Sequence, residues 1–135
     1  MEDANPSCDT LLFVATDDEE AELRTAATAM GLTSNVIQSR SGTEYIDLGT
    51  PGISRVYCVR TAVGPLAFGG SASRAIHSRS ETGATSVISV GMAFGVDRKS
   101  QRHGDVLVSR SVLPYDNRDG CGSFAAENSF ANSIT

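Results

Sequence analysis

Apolar and polar positions alternate between two rhythms along this chain. Leu11-Leu12-Phe13-Val14-Ala15 is a short, continuously apolar run, the pattern of a strand covered on both faces, and it predicts a central strand. Thr16-Asp17-Asp18-Glu19-Glu20 then offers two capping boxes, Thr16 with Glu19 or Asp17 with Glu20, and fills a first helical turn with acid. Leu23, Ala26, Ala27 and Met30 recur at helical spacing until Gly31 stops the helix. Val36-Ile37 and Tyr45-Ile46-Asp47-Leu48 are strand candidates around Gly42, and the Pro51-Gly52 turn leads into Arg55-Val56-Tyr57-Cys58-Val59-Arg60, so a hairpin is predicted. Gly64-Pro65 ends that strand. A helix over about 66 to 80 follows, with Phe68, Ala72, Ala75 and Ile76 as its buried stripe, while Gly69 and Gly70 weaken its first turn.

The run Val87-Ile88-Ser89-Val90 is β-branched and too short for a helix, which predicts a buried strand. Gly91-Met92-Ala93-Phe94-Gly95 comes directly after it, and glycines at both ends allow a sharp turn and a close approach of ligand to backbone N–H groups. Gly104-Asp105-Val106-Leu107-Val108-Ser109 predicts one more strand. Strands interleaved with helices give an α/β class, a three-layer sandwich with a mixed central sheet between helices. Residues 1–10 form a polar tail and 11–116 one domain. Residues 117–135 lack periodicity beyond Phe124 and Phe130, so composition predicts a loop or disorder there.

Composition narrows the function classes. In 135 residues, 40% are apolar and 20% charged, ordinary values for a soluble domain. A net charge of -5 without a basic cluster excludes the usual footprint for nucleic acid. No apolar run approaches a membrane span, and the acidic start is unlike a targeting leader. Cys8, Cys58 and Cys121 show no metal or disulfide spacing, which points to a reducing cytosol, no bound metal and no cofactor; Cys58 reads as a core residue. His77 and His103 have no carboxylate or thiol at triad or ligand spacing and read as a helix-surface and a loop residue.

The strand and loop at 86–97, the Gly104–Ser109 strand, Pro114-Tyr115-Asp116 and the acidic motif at 18–20 together resemble the nucleoside phosphorylase and methylthioadenosine/S-adenosylhomocysteine nucleosidase superfamily. The resemblance runs from about Leu11 to Asp116 and covers only the N-terminal half of such a domain, so the chain looks truncated. It implies a phosphorylase/nucleosidase-like fold and cleavage of the N-glycosidic bond of a purine nucleoside. Three loops are then expected at one sheet edge: Thr16–Glu20, Arg60–Gly64 and Gly91–Gly95. By the resemblance, Glu20 helps activate the attacking water. Taken alone, an acid at that position reads first as a first-turn residue favouring the helix dipole, and it is the resemblance that brings in the catalytic role.

The same comparison separates hydrolysis from phosphorolysis. Where the bacterial phosphorylases hold phosphate with an Arg and a Ser, this chain has Ser89 and Met92. Met92 has no donor, and a neutral Ser cannot replace a bidentate Arg, so hydrolysis is favoured. Arg60 keeps phosphate open as a partner beside the nucleoside. Met92 and Phe94 also depart from the nucleosidases, which have Ser and Gly there. The resemblance places the purine-protonating Asp and the ribose-gripping Met-Glu pair beyond the matched half, and general acid catalysis is worth about 10²–10⁴-fold. A non-catalytic nucleoside-binding or interaction domain is the alternative. Two-sided strands left without neighbours predict self-association, hence a homo-oligomer.

Overall fold

The computed structural model describes residues 6–63, 68–93, 95 and 97–109, and the strand at 132–134. In order, the elements are β1 (Thr10–Val14), α1 (Asp17–Ala29), β2 (Asn35–Gln38), β3 (Glu44–Asp47), β4 (Val56–Arg60), α2 (Ser71–Thr82), β5 (Ser86–Ser89), β6 (Val106–Val108) and β7 (Asn132–Ile134). The chain divides after Met92 into two compact units.

The first unit is an α/β fold on a mixed five-stranded sheet with the order β2-β3-β4-β1-β5. β1 runs parallel to both neighbours, with Leu11 opposite Tyr57 on one side and Val87 on the other. β3 is antiparallel to β4, so the predicted hairpin is present, and β2 pairs antiparallel with β3 to add a second. Because side chains alternate along a strand, β1 feeds two cores. Leu11 and Phe13 pack with Tyr45, Tyr57 and Val59 beneath Ala75 of α2. Leu12 and Val14 pack with Ile46, Leu48 and Cys58 beneath Leu23 and Ala27 of α1. One helix therefore covers each face, and β1 is as buried as its apolar run predicts.

α1 starts where the acidic motif places it. Thr16 is the N-cap, its hydroxyl accepting from Glu19 N at 3.2 Å while the Glu19 carboxylate accepts from Thr16 N at 3.1 Å, so the first of the two possible capping boxes forms. Gly31, at φ 76°, takes the left-handed conformation that ends the helix.

Two expectations are corrected. α2 begins at Ser71 with Gly70 as N-cap, because Gly69 sits at φ 74°, outside helical space. Its inner face carries Ala75, with Ser78 and Thr82 buried, whereas Ala72 and Ile76 point outward, Ile76 at 77% exposure, and Phe68 lies exposed before the helix begins. The cause is the tyrosine beneath it: the fully buried Tyr45 donates its hydroxyl to Glu81 at 2.6 Å, and a helix rotated to bury Ile76 would forfeit that acceptor. β5, expected to be buried, is exposed along its whole length, since among the described residues it ends the sheet and pairs only with β1.

In the second unit β6 pairs antiparallel with β7, with Val106 opposite Ile134. A short strand thus lies inside the segment whose composition predicted loop or disorder. Asp97 organises the turn before β6: its carboxylate accepts from Lys99 N at 2.9 Å and from the Ser100 hydroxyl at 2.7 Å, and these bonds hold its pKa below the ordinary value. Val106 and Val108 are exposed. No helix among the described residues is long and apolar enough to cross a membrane.

Candidate active site

Parallel strands deliver their following loops to the same edge of a sheet, and that edge is where open α/β sheets bind ligands. Here β1, β4 and β5 bring Thr16–Glu20, Arg60–Val63 and Val90–Met92 together at their C-terminal ends. Backbone bonds tie the other two loops to β1: Thr61 N donates to Val14 O at 2.9 Å, and Val90 N donates to Phe13 O at 2.8 Å. The loop after β4 is also closed onto the start of α2, with Ala62 N donating to Gly69 O at 2.9 Å.

The two neighbouring glutamates face different partners. Glu19 folds back over the end of β1, where Oε2 accepts from Ala15 N at 2.8 Å and from Thr16 N at 3.1 Å. Its other oxygen faces Gly91: a Cβ on Gly91 would stand 2.9 Å from Glu19 Oε1, so only glycine admits this approach without a shift. The Ala15 N–H, above all, with those of Thr16 and Met92, holds the Glu19 pKa below the ordinary carboxylate value against a smaller effect of burial. Glu19 is therefore ionised across the neutral range and fixed in orientation.

Glu20 turns instead toward β4. Oε2 meets Arg60 Nη2 at 2.6 Å and Oε1 meets Arg24 Nε at 3.2 Å. Arg60 is shared, its Nη1 pairing with Asp17. The Glu20 hydrogen bond is the main cause of the raised Arg60 pKa. Two residues chosen from the sequence, Glu20 and Arg60, are thus brought into contact, and it is Glu19 that meets the Gly91 loop.

Met92 ends the first unit and is 85% exposed. Ala93 and Gly95 belong to the second unit, and Gly64 and Phe94 lie outside the described residues. A cleft of about 440 Å³ opens beside Glu20, lined also by Gly42, Thr43, Glu44, Ile46, Cys58, Arg60 and Arg74. Cys58 is buried at its floor, and burial pushes its thiol pKa up to about 12, so it offers no thiolate at neutral pH. Among the described residues no group of three His, Cys, Asp or Glu side chains is arranged to hold a metal ion.

Sequence reasoning passed over Glu19, although the signal was present. A Glu three residues after an N-cap Thr folds back toward the cap and hence toward the preceding strand end, whereas the next residue points to another quarter of the helix. His77 is on the helix surface as expected, but a carboxylate does lie within reach: its Nε2 is 3.2 Å from the Ser41 hydroxyl and 3.7 Å from Glu81 Oε2. Both contacts use the same ring nitrogen, so this is a tie between α2 and the 39–43 turn and not a nucleophile, base and acid in series.

No family model, curated protein or solved structure matches this chain.

Proposed function

We propose that the first unit binds the ribosyl part of a purine nucleoside at the C-terminal edge of β1, β4 and β5, and that the protein cleaves the N-glycosidic bond with water. One observation carries this reading: Glu19 is held ionised by backbone donors directly against the Gly91 loop. An anomeric carbon turns cationic as its bond to the base breaks, and an oriented carboxylate that stays ionised stabilises that charge. In this reading Glu19 takes the place that the resemblance gave to Glu20, and Glu20 positions Arg60. Hydrolysis is favoured over phosphorolysis because the Arg60 guanidinium is already committed to Asp17 and Glu20, which leaves little of its charge for phosphate.

The experiment incubates the full-length protein with adenosine, inosine and methylthioadenosine, with and without phosphate, and follows free base by chromatography. Base release independent of phosphate is expected, falling about 10²-fold or more in Glu19→Gln. A second reading, a nucleoside-binding domain without turnover, is favoured by the donor-free, exposed Met92 in the loop. Binding by calorimetry without release would establish that second reading. Neither release nor binding would overturn both.

A further inference from the structure

The cleft lined by β3, β4, Glu20 of α1 and Arg74 of α2 has a charge inventory that closes except at two groups. Four charged side chains line it: Glu20, Glu44, Arg60 and Arg74. Glu20 is spent on Arg60 and Arg24, and Arg60 on Glu20 and Asp17. Arg74 is different: its Nε–H is buried and has no acceptor among the described residues. Buried donors are nearly always paired, so this one marks a place where an acceptor is supplied from outside. Glu44, at the start of β3, is exposed, and its side chain makes no hydrogen bond or ion pair among the described residues. The cleft thus has one guanidinium and one carboxylate in reserve. Its walls add the Thr43 side chain and the close backbone of Gly42, and its floor is the apolar Ile46 and the unreactive Cys58.

We infer that this cleft binds a small zwitterion of the amino acid class, whose carboxylate docks on Arg74 and whose ammonium faces Glu44. A simple anion satisfies Arg74 but meets an unpaired carboxylate at Glu44, and a simple cation does the reverse; a ligand bearing both charges meets both demands. The planar guanidinium fork suits a carboxylate in particular. A volume of about 440 Å³ falls in the range of small-ligand sites, roughly 300–1,000 Å³, with room for a side chain beyond the two charged groups. The inference stands apart from the glycosidase reading, for it uses neither Glu19 nor Gly91.

The test is calorimetric titration of the full chain, without nucleoside, against a panel of L-amino acids, their amides, their N-acetyl derivatives and inorganic phosphate. Free amino acids should bind, with the amides and N-acetyl forms each about tenfold weaker or more, the cost of losing one charge-assisted contact. Arg74→Gln should abolish the preference for acid over amide, and Glu44→Gln the preference for free amine over N-acetyl, each variant checked for an unchanged circular dichroism spectrum. Should Arg74→Gln misfold, Arg74→Lys keeps the charge, loses the fork and should weaken acids selectively. Equal binding of acids and amides, phosphate binding in place of amino acids, or no binding by any member of the panel would overturn the inference and leave the Arg74 donor satisfied by water alone.

Discussion

The two helices of the first unit cover opposite faces of one sheet by different chemistry. α1 docks through Leu23 and Ala27 on an apolar surface of Val14, Ile46, Leu48 and Cys58. α2 docks through Ala75 together with Ser78, Thr82 and Glu81, and its more apolar edge, Ala72 and Ile76, faces outward. What separates them is the surface beneath. Under α1 the strands present aliphatic side chains; under α2 they present the Tyr45 hydroxyl and the hydroxyl-rich turn at 39–43. Glu81 accepts from Tyr45, His77 meets Ser41, and Thr82 donates to Ser78 O at 2.7 Å. A helix over a buried hydroxyl must bring an acceptor, even at the cost of leaving an isoleucine in water.

The largest expected effect tests the polar docking of α2. Glu81→Ala leaves the Tyr45 hydroxyl buried without its acceptor and should cost about 1–3 kcal/mol in denaturant unfolding. The pH dependence follows from the same contact. Burial alone would raise the Glu81 pKa, but hydrogen bonds from Tyr45, Ser39 and Ser41 outweigh it and hold the value below the ordinary one. A folded-state pKa lower than the unfolded one gives stability that is present above the unfolded value and lost as pH falls through the folded one. Melting temperature should therefore fall more steeply on acidification in the wild type than in Glu81→Ala. Equal slopes would show that Glu81 carries no such linkage.

A smaller effect belongs to the start of α1. Glu19→Gln keeps a side chain that can close the capping box but removes its charge at the helix N-terminus, and should cost about 0.3–1 kcal/mol. The Glu19 pKa is also lowered, so its contribution too is lost on the acid side, and the variant should show a shallower acid limb at unchanged helix content by circular dichroism. The smallest effect is expected on the outward edge of α2. Ile76→Ser should lie within about ±0.5 kcal/mol of wild type, as exposed positions do, whereas Leu23→Ala on α1 should cost about 1–2 kcal/mol, less than the 2–5 of a fully buried leucine. A large loss from Ile76→Ser in dilute monomeric protein would mean that the outward edge of α2 is packed after all.

The same contrast explains what the sequence made legible. β1, the β3–β4 hairpin, the Thr16 cap and the stop at Gly31 follow from local rules about runs, turns and caps, and they form as those rules require. The inner face of α2 depends on Tyr45, distant in the chain, and hydrophobic periodicity has no means of registering a hydroxyl on the opposing strand. β5 was read as buried from its β-branched run, but burial belongs to its place in the sheet order and not to its residues. At the candidate site, the convergence of three loops was legible from strand order, while the division of labour between Glu19 and Glu20 turned on one step around a helix. Arg74 gave no signal at all, because a cleft is made by elements far apart in sequence.

The sheet order also dictates a timetable. β1 is synthesised before both of its partners, and two other described strands, β2 and β3, come between it and them. The β2-β3-β4 hairpins close through short turns and can form early, whereas β1 must wait, with Leu11, Phe13 and Val14 uncovered, until long chain segments have been looped back on both sides. Completion of the central parallel pairs is thus the slow event in folding, and the nascent chain is most exposed to misassociation while its most apolar strand waits for its partners.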